Sequence, residues 1–445
     1  AARGTGMRAL AEAVDQMMQR AGAGTKSFKL GSGYPIIYGE FGAGSRSYVV
    51  YGHYDVAPIG HLPEWSYGPF ASTVVDGKLY ARGASNSKGD LVARIAAIEA
   101  YQKSFGKLPV CLKFLVDGED GLGSPSLFRF AKEHADMLAA DGVIWDEGYK
   151  DTKEHLVISL GFKGICFLEL RVQGPRTDVH SKWGGIVPNP AWRLVQALGT
   201  ITSPKGVITI DGFSSHITPP TEEDAEMLKR ITLDETELRR EFRITNWLRG
   251  MKGSGLVKEH IFGATATICG IQTGYTEAGP KTVLPAYAMA RLDFRLVPDL
   301  SPALVVKLLR EHLDLRGFHD VEIKELAAAP TAKSSMQTPL ARAAIETAKE
   351  IYGTPPVVYP MDPTSGPIGV VCAASNPIAP VVSFGISHAG SNPHGPDENI
   401  RIDDFLVSIK YIGRLIHQLG QQRKKPNLTG ELKSTKEMVS HAVES

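Results

Sequence analysis

Residues 46–58, RSYVVYGHYDVAP, carry a run of β-branched and aromatic side chains into a histidine and an aspartate two places apart, His53 and Asp55. Buried metal sites are commonly built where such a strand-forming run ends. A neutral imidazole can ligate a divalent cation through one ring nitrogen, while a nearby carboxylate accepts the proton of the other nitrogen and fixes the tautomer. A histidine satisfied by an ordinary carboxylate partner explains the pair equally well, so the rest of the chain has to decide.

Outward from this stretch, short apolar runs alternate with helical periodicity. From about residue 7 to 160 the pattern predicts a helix, strands at YPIIYGEF and RSYVVYGH, a helix, a strand at VCLKFLVD, a helix and a strand at DGVIWDE, which is an α/β layered domain. After LVISLGFKG the character changes to ICFLELRVQGP as an alternating strand, NPAWRLVQALGTI as a helix, and TATICGIQTG with AMARLDFRLVP as an antiparallel pair. SPALVVKLLREHLDL then predicts a helix and DVEIKEL a strand, an α+β insertion with one sheet face covered. The charged stretch 221–242 within it is most simply a pair of solvated helices. Helix and strand return from about residue 328, so the first domain is split: residues 1–163 and 328–445 enclose an insertion at 164–327.

The strand ends and loops of the split domain carry further candidates. Asn86 lies in a loop at 83–89 that feeds a helix N-terminus. Asp117, Glu119 and Asp120 precede a turn at Gly123 and Ser124 and suit general-base chemistry. Asp146 ends a buried strand, and His394 precedes a helix predicted to begin near Asp403.

In the order GHYDVAP, ARGASNSKG, DGEDGLGS, WDEG, DVHS, KTVLP, FRLVP and HGPDE, the chain resembles the co-catalytic metallopeptidases that include carnosine dipeptidases, aminoacylases and glutamate carboxypeptidases. The resemblance spans nearly the whole chain. It implies a three-layer α/β catalytic domain and makes the insertion a ferredoxin-like lid and dimerisation domain. His180 matches the lid histidine that reaches the partner subunit's active site, where it would donate a hydrogen bond to developing negative charge. Arg295 matches the lid arginine and could bind a substrate carboxylate. The metal positions are His53, Asn86, Asp146 and His394, with Asp55 orienting His53 and Asp120 as general base; Glu119 would replace Asp120 if the loop has shifted.

The chain departs from the family where charge matters. The bridging aspartate is Asn86, and the paired glutamates before the Gly-Ser turn are Asp120 and Gly121. Two divalent ions about 3.5 Å apart repel by roughly 19 kcal/mol even at an effective dielectric near 20, so a bridging anion and flanking carboxylates are normally required. The expectation is one exchangeable divalent ion, manganese or zinc, with cobalt and iron also compatible with so hard a ligand set. Relatives also place an arginine and paired glycines where MDPTSGPIGV stands, with Pro363 at the arginine position; Thr364, Ser365 and Gly366 offer hydroxyl and backbone donors instead.

Bulk properties narrow the classes. A chain of 445 residues exceeds the usual single-domain size, and 49 basic against 48 acidic residues favour neither nucleic acid nor an anionic membrane. Cys111, Cys166, Cys269 and Cys372 are scattered and read as buried small hydrophobes. No stretch of eighteen apolar residues and no hydrophobic signal core occur, so a cytoplasmic protein is expected. The leading functional expectation is a one-metal hydrolase of a C–N bond in a small carboxylate-bearing molecule, leaning to an aminohydrolase of an activated aromatic amine such as a nitroanthranilate. A dipeptidase or N-acyl amino-acid amidohydrolase is the alternative, and a non-catalytic ligand-binding descendant the third. A homo-oligomer, at least a dimer through the lid, completes the set.

Overall fold

The computed structural model describes residues 6–422. Its larger sheet has eight strands, in the spatial order Gly24–Phe28, Ile36–Phe41, Cys111–Asp117, Ser47–His53, Gly142–Trp145, Val381–Ser383, Val157–Ser159 and Val357–Tyr359. The central strands Cys111–Asp117, Ser47–His53, Gly142–Trp145 and Val381–Ser383 run parallel to one another. Their near-continuous apolar sequences follow from burial on both faces: every residue of SYVVYGH after Ser47 is buried.

Helices Met7–Arg20, Gly89–Phe105, Pro339–Tyr352 and Ile402–Gln421 pack one face of the sheet. Pro125–Glu133, Ala135–Leu138 and Ile368–Ala373 cover the other, which makes the expected three layers. The second sheet carries Thr265–Thr273, Tyr287–Leu296, Gly161–Gln173 and Glu322–Ala329, all antiparallel. With helices Pro190–Leu198 and Pro302–Leu315 against it, the chain order βαββαβ is that of a ferredoxin-like unit.

Two details differ from the sequence expectation. Gly24–Phe28 is an edge strand that the polar sequence GTKSF did not announce. Of the two charged helices, Glu235–Phe242 buries nothing, but Glu222–Leu228 buries Asp224 and Met227, with Asp224 paired to Lys333 at 2.9 Å. The polar C-terminal stretch beyond Gln422 lies outside the described residues. No helix among the described residues is long and apolar enough to cross a membrane.

Candidate metal centre

Parallel strands present their carboxyl ends together, and at this edge His53 ends Ser47–His53, Asp117 lies opposite it in register, and Asp146 follows Gly142–Trp145. His53 and Asp55 are buried, with Nδ1 of His53 2.9 Å from Oδ1 of Asp55. The other oxygen of Asp55 accepts the Gly121 N–H at 3.0 Å. Burial alone would raise the Asp55 carboxyl, but its bond to His53 and that charge hold it below the usual range. Burial alone would lower His53, yet the carboxylates of Asp120, Asp55 and Asp146 push it up to about 10.

The second ring nitrogen of His53 faces Asn86. Nε2 is 2.7 Å from Asn86 Oδ1, and Asn86 Nδ2 is 2.8 Å from Nε2 of His394. Thus His53, Asn86 and His394 come together as expected. Asp120, one-third exposed, places Oδ2 4.0 Å from His53 Nε2, beyond direct hydrogen-bond reach. Asp146 is buried beside them, with Oδ2 accepting the Ser87 hydroxyl at 2.6 Å; burial raises its carboxyl and the His53 charge opposes that.

The remaining expected residues lie elsewhere. The Glu119 carboxylate accepts the N–H groups of Tyr34 and Ser126, each at 3.0 Å, and so anchors the start of Pro125–Glu133. His180 is exposed, with Nδ1 accepting the Lys182 N–H at 3.1 Å. Arg295 is paired with Asp293 on its own strand at 2.9 Å.

The donor chemistry tests how many ions this set fits. Among the described residues no three His, Cys, Asp or Glu side chains converge on one point, and the oxygen that faces His53 Nε2, at 2.7 Å, is that of Asn86. An amide has one accepting end and one donating end. Its oxygen leaves a place for a cation beside one histidine, whereas its N–H₂ occupies the lone pair of the other. Turning the amide over exchanges the two sides without opening both. With Oδ1 on His53, the open side has His53 and Asn86 as donors and Asp146 and Asp120 as nearby negative charge. In that arrangement His394 Nε2 accepts from the Asn86 N–H₂ at 2.8 Å. Gly121 offers no side chain to a second ion. Only one side of the amide at a time is open to a cation.

A cavity of about 460 Å³ opens on Asn86 and His394 and is lined farther along by Glu147, Tyr149, Phe162, Asp362 and Thr364. Neither Lys nor Arg is among its lining residues. Burial, then the charges of Asp146, Asp120 and Asp362, raises the Glu147 carboxyl well above its usual range.

Sequence reasoning passed over Glu398 and Arg82. They form an ion pair at 2.7 Å with both side chains about 1% exposed. Glu398 stood within HGPDE, but its partners are more than 300 residues away, and no local pattern reports such a contact.

Residues 49–418 match the sequence profile of peptidase family M20/M25/M40. The chain is similar to the β-Ala-His dipeptidase of Mus musculus, 27% identical over 434 residues that cover 93% of this chain and 87% of that protein. It is 26% identical over 402 residues to the Cys-Gly metallodipeptidase of Schizosaccharomyces pombe, covering 86% of this chain and 83% of the other. Among solved structures, an M20 family metallo-carboxypeptidase of Sulfolobus solfataricus superposes with a TM-score of 0.87 at 32% identity, covering 95% of this chain and 96% of its own.

Proposed function

The chain belongs to peptidase family M20/M25/M40, and on that premise we propose that it hydrolyses the C–N bond of a small dipeptide-like substrate with the help of one divalent ion. The observation that carries this reading is similarity to two dipeptidases over 93% and 86% of the chain. The cavity volume of about 460 Å³ suits such a substrate, since small-molecule sites run from about 300 to 1,000 Å³. These relatives support the alternative of the sequence analysis. They lend no support to an aminohydrolase of aromatic amines.

His53 and Asn86 would hold the ion, with Asp146 as the adjacent carboxylate. A bound divalent ion supplies Lewis acidity toward water and a carbonyl. The protein's own part is to hold the His53 ring through Asp55, to place Asp120 where it can take a proton, and to shape the cavity. His180 stands away from the cavity of its own chain, so it serves only if a second copy presents its cavity to it. The exposed Ile268 and Ile271 on the outer strand Thr265–Thr273 suit the expected dimer contact, which equilibrium sedimentation would detect.

Two results are expected. Elemental analysis after dialysis against manganese or zinc should find about one ion per chain, and a dipeptide panel should be cleaved in its presence while an aminobenzoate panel releases no ammonia. Ammonia from the aminobenzoates with intact dipeptides would reverse the preference, and neither product would favour a ligand-binding descendant. Within the dipeptide panel, the Asp362 carboxylate and the absence of Lys and Arg from the lining favour a cationic group in the distal part of the cavity. Like-charge contacts discriminate strongly in such settings. Substrates with a basic side chain should therefore exceed acidic ones in kcat/KM by about tenfold or more, and Asp362→Ala should narrow the ratio.

A further inference from the structure

We infer that the buried Arg82–Glu398 pair is the positioning element that holds Asn86 and His394 in register, an inference that rests on the one-ion site proposed above. Glu398 Oε1 accepts the N–H groups of Ser85 at 2.9 Å and Asn86 at 2.8 Å, while Oε2 accepts that of Gly83 at 2.9 Å and Arg82 Nη1 at 2.7 Å. Arg82 Nη2 donates to the backbone carbonyl of His394 at 3.0 Å. One ion pair therefore pins the backbone of both residues whose side chains meet at 2.8 Å.

The guanidinium extends the arrangement to a third loop. It lies 4.9 Å from the ring centroid of Trp65, whose indole N–H donates to the Ile59 carbonyl at 2.8 Å. His394 needs such a hold, because its φ of 64° lies in the left-handed region that non-glycine residues rarely occupy unless their surroundings impose it. Charge-assisted hydrogen bonds are short and directional, which suits a carboxylate collecting four donors to fixing backbone geometry. Neither Arg82 nor Glu398 is among the residues lining the cavity, so the pair acts on the site through Asn86 and His394.

Removing one partner alone would leave an uncompensated buried charge and obscure any positioning role, whereas replacing both by apolar residues of similar volume commonly spares stability. The test is therefore Arg82→Met/Glu398→Leu in the full chain. Imidazole ¹⁵N spectra at one fixed pH, with His394 assigned through His394→Gln, read the contact directly. In the wild type the Asn86 amide locks His394 in one tautomer. In the double variant His394 should average between tautomers, and manganese binding should weaken about 10- to 100-fold, the usual effect of losing an outer partner of a metal ligand. The unfolding midpoint should stay within a few degrees.

A double variant that keeps both the single tautomer and wild-type manganese affinity overturns the inference. If the wild type takes up no manganese but the tautomer lock is present and lost in the double variant, the one-ion reading fails and the positioning role stands. Should the double variant not fold, Glu398→Gln keeps the shape and removes the charge. A tautomer lock that survives Glu398→Gln overturns the role as well.

Discussion

Asn86→Asp combined with Gly121→Glu is expected to raise the bound metal from one ion per chain to two. The amide of Asn86 closes one side of the His53–His394 gap with its own N–H₂, at 2.8 Å from Nε2 of His394. A carboxylate has no donating end. Both of its oxygens would face imidazole nitrogens, and each such pair of lone-pair atoms calls for a cation between them. The added charge also offsets the repulsion of roughly 19 kcal/mol between two divalent ions about 3.5 Å apart at an effective dielectric near 20.

Asn86→Asp alone should tighten the first ion by about two orders of magnitude or more, since it replaces a neutral donor with an anion. Gly121→Glu supplies the second ion's missing carboxylate. Its backbone is outside the left-handed region, and an added Cβ would lie 3.3 Å from Oδ2 of Asp55, a contact that needs a shift of a few tenths of an ångström. Calorimetric titration with manganese together with elemental analysis reads both quantities. A double variant that still saturates at one ion would show that the amide is not what limits the count.

What could be read in the sequence, and what could not, follows from the range of the interactions. His53, Asp55, Asp117 and Asp146 were legible because a strand buried on both faces writes a continuous apolar run and its polar end stands out. Asp120 and Glu119 could not be separated, because neighbouring residues in a turn point in different directions. Only the N–H groups of Tyr34 and Ser126 reveal that Glu119 faces inward. The contact between His394 and the Asn86 amide joins residues 308 apart in sequence and so has no local signature. The Arg82–Glu398 pair and the Asp224–Lys333 contact join residues that share no local pattern.

Arg94→Ala is expected to destabilise the catalytic layer by about 3–5 kcal/mol, the usual cost of breaking a buried charged network by removing one partner. Arg94 is 2% exposed on helix Gly89–Phe105. Its Nη1 donates to the Tyr51 carbonyl at 2.6 Å, and its Nη2 to those of Trp145 at 2.7 Å and Phe384 at 3.2 Å. One guanidinium thus ties together the carboxyl ends of three adjacent parallel strands, two of which lead directly into His53 and Asp146. Lysine has no planar fork to reach three carbonyls, so Arg94→Lys should recover little.

The defect should also depend on pH, with a sign fixed by Asp90. Burial pushes the Asp90 carboxyl up to about 7, with the Arg94 charge the largest influence holding it down. A carboxyl raised in the folded state binds more protons folded than unfolded, so stability falls as pH rises from about 4 through that raised value. Without Arg94 the raised value climbs further and the loss extends to higher pH. The gap in unfolding midpoint between wild type and Arg94→Ala should therefore be wider at pH 8 than at pH 5, where Asp90 is protonated in both proteins. A gap that is constant across this range would mean that the three carbonyl contacts, and not the charge, account for the whole effect. Because His53 and Asp146 follow two of the tied strands, metal affinity should fall along with stability even at temperatures where the variant remains folded.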